Sequence, residues 1–415
     1  MGELNWSESV EYSSSALARP RSVEELQSLV AAASKVKALG SRHSFNEIAD
    51  TVGTHLCLDD LELEASVDVA AMTATVPGSW TYSQVGNMLN NAGVALKNMG
   101  SLPHISLAGG TATGTHGSGD RNQILAAEVS SIEMVTADGS LITVDSDMAE
   151  FGAVAVGLGA LGIITTMTLD VVPAYQMRQD IYRVASWDAF LENFDDVMAS
   201  AYSVNVHANF SSVDTNAIWQ KSIVETTDDG EPVPTDVPSM LWGANRLDIS
   251  ELDPGRMTRL TPGPWHERLP HFTPESTPSL GGDELQTEYF IDRKMAVDAL
   301  VALRAMGERI DAQLHGSEIR TVAADDLWLS PTTGRDCVSI GLTWKKRPVE
   351  VLALLPDIEA ALAPYSSTAH WGKLFAFGRD ELNEQYEKLD EFVALAAQLD
   401  PAQKFSNRFL KKLIQ

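Results

Sequence analysis

Residues 22–36, "SVEELQSLVAAASKV", set apolar side chains at helical spacing behind Ser22, with Glu25 three residues on. A hydroxyl at the cap and a glutamate three positions later can satisfy each other's backbone N–H, so the stretch predicts a helix start. It runs into "KVKALG", a short strand, giving a β-α-β opening. "AMTATVPGSWTYSQVGNMLNNAG" predicts strand, turn and a helix closed by Gly93. "EVSSIEMVTADGSLITVDS" alternates on both sides of Asp138-Gly139, the strongest hairpin signal in the chain. "GLGALGIITTMTLDVVPAY" is glycine-rich, then β-branched, and ends near Pro173. Residues from about 15 to 175 therefore read as a mixed α+β unit with glycines gathered at strand ends.

The pattern then changes. From about Thr226 to Gly282 come half of the 18 prolines and little periodicity, which predicts long irregular connections inside a second domain. "LQTEYFIDRKMAVDALVALRAMGERI" and "CVSIGLTWKK" beside it predict a sheet with covering helices. After "HWGKLF" the tail returns to helix, with Asp400-Pro401 as a stop. Internal repeats and low-complexity tracts are absent.

Composition narrows the class. The 415 residues suggest two domains, and 30 Lys+Arg against 57 Asp+Glu give a net charge of −27. That surface repels nucleic acid and anionic membrane, so neither is an expected partner. Cys57 and Cys337 are the only cysteines, too few for a disulfide scaffold or a zinc ribbon. The first residues show no basic n-region or apolar h-region, and no run approaches 18 apolar residues. A monomer in the cytoplasm, holding no metal, is the expectation.

Two stretches carry candidate chemistry. "ALGSRHSFNE" covers Ala38–Glu47; "MGSLPHISLAGGTATGTHGSG" covers Met99–Gly119 and holds six glycines, three threonines, three serines and no acid. Glycines let backbone N–H groups approach a ligand, hydroxyls add donors, and no carboxylate repels an anion. Both stretches suit a diphosphate held by amides, though glycine-rich surface turns read the same on composition alone. Neither fits a P-loop or a nicotinamide fingerprint. His43, His104 and His116 lack the spacing of a zinc site, and "THGSG" lacks the first glycine of a nucleophile elbow. Glu318 and Arg320, two apart, share one face if on a strand; alone they read as a surface ion pair.

"LGSRHSFN" resembles the G-[ST]-x-H-S pyrophosphate loop of the vanillyl-alcohol-oxidase/p-cresol-methylhydroxylase flavoproteins. "NMGSLPHISLAGGTATGTHGSG" is similar to the second FAD loop of their sugar-oxidising branch, and "SEIRTVAADDLWLSP", "GLTW" and "HWGKLF" resemble the alditol oxidases. The resemblance spans nearly the whole chain and implies an α+β fold. Its FAD-binding domain of two subdomains would cover 1–175 and a substrate-binding cap 176–372, with a mixed or antiparallel sheet under helices. A segment 373–415 would return to the FAD-binding domain. It further implies that Leu39, Gly40, Ser41, Arg42, His43, Ser44 and Phe45 wrap the FAD, with His43 as its covalent 8α-histidyl link. Ser101, Ser106, Gly109, Thr113, Gly114, Thr115 and His116 would line the second loop, Ile164 would follow, and His370 would touch the isoalloxazine. Arg42, where close alditol oxidases often have glycine, suits pairing with the diphosphate.

The same resemblance implies that Ser101, Glu318, Arg320, Thr343 and Lys373 bind a polyol such as xylitol or sorbitol. Arg320 and Lys373 would stabilise developing negative charge, and Glu318 would orient Arg320. A polyol offers only hydroxyls, so its site must supply donors and acceptors at fixed spacing. The implied activity moves a hydride from C1 to flavin N5, and Gly100 leaves dioxygen room to be reduced to hydrogen peroxide. Gly341 stands where alditol oxidases commonly carry a histidine, which predicts a wider pocket and a shifted substrate range. An aldonolactone oxidase or dehydrogenase is the alternative within the superfamily. A flavin-less binding protein is the alternative outside it.

Overall fold

The computed structural model describes residues 3–183, 185–227, 232–233, 237–247 and 261–414. The rest of the irregular stretch, at 228–231, 234–236 and 248–260, lies outside the described residues.

The capped helix forms over Val23–Ala32: Ser22 Oγ accepts from Glu25 N, and Glu25 Oε2 accepts from Arg21 N at 2.8 Å. It precedes Val36–Ala38 in a three-stranded parallel sheet that also holds Ala16–Ala18 and, in the middle, Thr54–Leu56. The Asp138-Gly139 hairpin joins Val129–Val135 to Leu141–Asp145 in an antiparallel sheet of five strands. Gly139 adopts φ 89°, a conformation that glycine takes without strain. Ile163–Asp170 is the central strand of that sheet. Its Ile163, Thr165, Met167 and Leu169 are buried in alternation, as the period of two requires.

The second half is built on a ten-stranded sheet whose pairings are antiparallel. Its middle runs Gln176–Arg183, Thr215–Val224, Ser203–Ala208, Leu314–Val322, Cys337–Lys345, Glu284–Asp292 and Thr368–Ala369. The helices Ala296–Ala305 and Pro348–Leu362 bury Leu300, Leu303, Leu355 and Ile358, matching the helix-covered sheet expected from sequence.

The tail crosses back to the first half. Val36 N donates to Lys404 O at 3.0 Å, and Phe405 packs with Leu26, Val30, Val36 and Leu56. Asn46 Nδ2 donates to Trp371 O and Lys373 O at 2.8 and 2.7 Å. The loop carrying His43 and the segment carrying Lys373 are thereby held together.

Candidate active site

A cavity of about 590 Å³ opens between these glycine-rich loops and the ten-stranded sheet. Every residue singled out above as cofactor- or substrate-binding lines it except Gly114. Gly114 instead makes the φ 72° turn after the helix Leu107–Ala112, where a Cβ would stand 2.9 Å from Pro331.

At one end the two loops close on each other. Ser41 Oγ accepts from Ser106 N at 3.1 Å. A Cβ on Gly109 would stand 2.7 Å from Ser106 Oγ, and one on Gly40 would overlap that atom. Glycine at both positions leaves a backbone cradle that a side chain would fill. The His43 ring stacks on Trp6, with centroids 5.0 Å apart and planes 19° apart. Both its nitrogens are buried without a hydrogen-bond partner. Burial above all, then neighbouring His104, pushes the imidazole down to about 4, so it stays neutral at pH 7. A buried, unpaired, neutral imidazole beside an amide cradle fits a partner that the chain does not supply. Arg42 also lines the cavity, and its Nη2 is paired with Glu3 Oε1 at 3.0 Å. Its φ of 63° explains why glycine suits this position.

At the other end the sheet register collects the polar groups. His207 pairs with Glu318, Glu318 with Gly341, and Gly341 with Glu288. Glu318 and Arg320 share one face, as their spacing predicts, and Arg320 Nη2 donates to Glu318 Oε2 and to Ser101 Oγ, the latter at 2.6 Å. Asn205 Nδ2 donates to Glu318 Oε1 at 3.2 Å, and His271 Nδ1 lies 3.3 Å from that same oxygen. Burial pushes the Glu318 carboxyl up, but Arg320, then His271 and His207, outweigh it and hold it well below the usual range. Thr343 faces Gln286 across the neighbouring strand, both on the cavity wall.

A second charged cluster surrounds Glu288. Its Oε2 accepts from Lys373 Nζ at 2.7 Å; its Oε1 accepts from Ser339 Oγ at 2.5 Å and lies 3.0 Å from His116 Nε2. Burial raises this carboxyl, yet Lys373, then His116 and His370, hold it well below the ordinary value. Burial, then Lys373, pushes His370 down to about 3, leaving that ring neutral. Gly341 lies beside this cluster, where a Cβ would stand 3.5 Å from Glu288 Oε1.

Sequence reasoning missed Glu288, His271, His207 and Trp219. Glu288 leaves one faint signal, an acid directly before the apolar run "YFI" of its strand. The other three leave none, since a histidine among prolines or a tryptophan on a strand reads as ordinary packing.

Two family profiles match, one described as FAD binding domain over residues 14–145 and one as D-arabinono-1,4-lactone oxidase over 283–413. An alditol oxidase of Streptomyces sp. is 39% identical, with 99% of this chain and 98% of that protein covered. The chain belongs to the alditol oxidase family. This family member is an FAD-dependent oxidoreductase of the vanillyl-alcohol-oxidase/p-cresol-methylhydroxylase type. It is also 28% identical to an L-gulono-1,4-lactone dehydrogenase of Mycobacterium tuberculosis, covering 99% and 98% of the two chains. The structure is similar to that of cholesterol oxidase from B. sterolicum, with a TM-score of 0.80 at 14% identity over 99% and 96% of the chains, which shows a shared fold. Among the described residues no helix is long and apolar enough to cross a membrane.

Proposed function

We propose that the chain is an alditol oxidase that converts the terminal C1 hydroxyl of a polyol, such as xylitol or sorbitol, to the aldose. FAD bound in the cavity supplies the hydride acceptor, which dioxygen then reoxidises with release of hydrogen peroxide. The observation that carries the reading is the meeting of Ser101, Glu318, Arg320, Thr343 and Lys373 on the wall of the cavity that also holds the two glycine-rich loops. In this reading His43 carries the flavin covalently, and its unpaired neutral ring supports that role.

Ser101, Glu318 and Thr343 bind and orient the substrate hydroxyls, with Arg320 holding Ser101 and Glu318 in place. Arg320 and Lys373 face negative charge as it develops on the alcohol oxygen. A cation about 4 Å from such a charge contributes ~4 kcal/mol at an effective dielectric of ~20, roughly three decades in rate. The chain's two buried free thiols suit a reducing cytoplasm. The D-arabinono-1,4-lactone oxidase profile over 283–413 keeps a lactone as the second candidate substrate.

Acid precipitation followed by a peroxide assay on polyols and aldonolactones tests these points together. The precipitate is expected to stay yellow, and His43→Ala to release its colour into the supernatant. Peroxide formed with lactones but not with xylitol or sorbitol would exchange the two substrate readings.

A further inference from the structure

His271 is held from four sides. Just before it, the fully buried Lys221 Nζ donates to Leu269 O and, at 3.1 Å, to Pro270 O. His271 N donates to Ser101 O at 2.9 Å. The ring packs edge-on against Trp219, centroids 4.9 Å apart and planes at 61°. Its Nδ1 lies 3.3 Å from both Ser101 Oγ and Glu318 Oε1. An ionised carboxylate only accepts, so the proton of a neutral ring belongs on Nδ1 and the lone pair on Nε2. Among the described residues Nε2 has no hydrogen-bond partner, and the ring lines the cavity.

Two other acceptors on the cavity wall, Glu288 and His370, are engaged. Glu288 Oε2 takes Lys373, and Oε1 takes Ser339 and faces His116. His370 Nδ1 accepts from Gly372 N at 3.0 Å. We propose that His271 is the general base of the alcohol oxidation, oriented by Glu318 in a carboxylate–imidazole dyad. The proposal rests on the alditol oxidase reading. In the step the substrate O–H bond breaks and its proton passes to His271 Nε2. The C1–H electron pair leaves as hydride to the flavin, and the C–O bond becomes a carbonyl. Glu318 then stabilises the imidazolium, as carboxylates do in hydrolase triads. The charged and titratable groups around the ring are Glu318, Arg320, Lys221 and His207. Burial, then Lys221, pushes His271 down to about 3 against the pull of Glu318, so the free ring is an acceptor across the working pH range.

The test is anaerobic flavin reduction by sorbitol, followed in wild type, His271→Asn and His271→Gly holoenzyme of equal acid-stable flavin content. Wild type is expected to be pH-independent between about pH 5 and 8, about 2 to 5 units above the ring's own range. His271→Asn is expected to be slower by about 10²- to 10⁴-fold and to gain about tenfold in rate per pH unit, as hydroxide replaces the lost base. Added imidazole is expected to restore part of the rate in His271→Gly. A variant within threefold of wild type, or a slower one with a flat pH profile and no rescue, overturns the dyad while leaving the alditol oxidase reading intact. Failure of sorbitol and xylitol to reduce the wild type at all would overturn that reading instead.

Discussion

Glu288 holds donors from separate stretches of chain, so its contribution is that of a unit. Lys373, Ser339 and His116 reach it across sequence distances that no local pattern encodes. Losing one partner of a buried ion pair costs about 3–5 kcal/mol, because the other charge stays buried without compensation. Glu288→Gln is therefore expected to lower unfolding stability by a few kcal/mol. In a double-mutant cycle, adding Lys373→Met should cost less than the two single losses together. Denaturant unfolding of the four proteins measures this, and strictly additive losses would mean that the pair is not coupled. Gly100 poses the opposite case, where the alditol oxidase reading assigns the empty space itself to dioxygen. A Cβ there would meet Thr115 Cγ2 at 3.4 Å and His116 O at 3.6 Å, so the space is small and bounded. Gly100→Pro is expected to slow reoxidation of the reduced enzyme by air at least about tenfold, leaving reduction by polyol nearly unchanged. Equal slowing of the two half-reactions in stopped flow would remove the oxygen-access role. From spacing alone Glu318 and Arg320 were legible only as two residues on one strand face; their place on the cavity wall, like that of His43, was anticipated only through the family resemblance. The Arg42–Glu3 pair was not legible, because Glu3 belongs to an N-terminal segment whose path no nearby pattern betrays.

At the scale of elements, the glycine-rich segments work by close approach. Gly117 sits where a Cβ would overlap Asn98 Oδ1 and Met99 O, with Asn98 Cγ only 2.6 Å away. The strip His116–Ser118 thus lies directly on the strip Asn98–Gly100, and each carries groups of the cavity wall. Gly117→Ala forces the two apart. Overpacking of a filled interior costs about 1–3 kcal/mol, a fall of roughly 1–3 °C for a chain as long as this one. Lower flavin loading is expected with it; calorimetry and the ratio of flavin to protein absorbance check both, and an unchanged midpoint would show that the strips are free to shift. Elements of this kind were legible through turn chemistry. The Ser22 cap, the Asp138-Gly139 hairpin and the stop at Asp400 all rest on interactions spanning a few residues. The order of strands in the large sheet was not. Pairing of Ser203–Ala208 with Leu314–Val322 joins residues more than 100 apart, chosen by packing of the whole sheet.

For the whole molecule, proton linkage sets the pH range in which the fold is strongest. Burial pushes His271 and His370 down to about 3, far below the ordinary 6.5, so the unfolded chain binds their protons first. Stability from these two is complete above pH 6.5 and is lost as pH falls below it. Glu128 and Glu359 act in the opposite sense. Burial raises Glu128 from 4.5 to about 8, against Lys97, and raises Glu359 to about 7, so the native state keeps protons that the unfolded chain gives up. Their contribution is complete below pH 4.5 and is lost as pH rises through 7 and 8. Between pH 4.5 and 6.5 the histidines and these acids oppose each other. Above 6.5 the acids are opposed by Lys37, which burial pushes down to about 7 and whose contribution grows as pH rises past that value, each proton counting for about 1.4 kcal/mol per pH unit. Glu128 Oε2 accepts from Lys97 N at 3.2 Å and Oε1 from Asn98 N at 2.9 Å, and a glutamine oxygen can keep one of these two bonds without a charge. Glu128→Gln is therefore expected to start below wild type in thermal midpoint at pH 5, having lost one bond, and to gain on it steadily toward pH 8, having no proton to give up. A midpoint that runs parallel to the parent's from pH 5 to 8 would mean that the Glu128 carboxyl is already ionised in the folded protein.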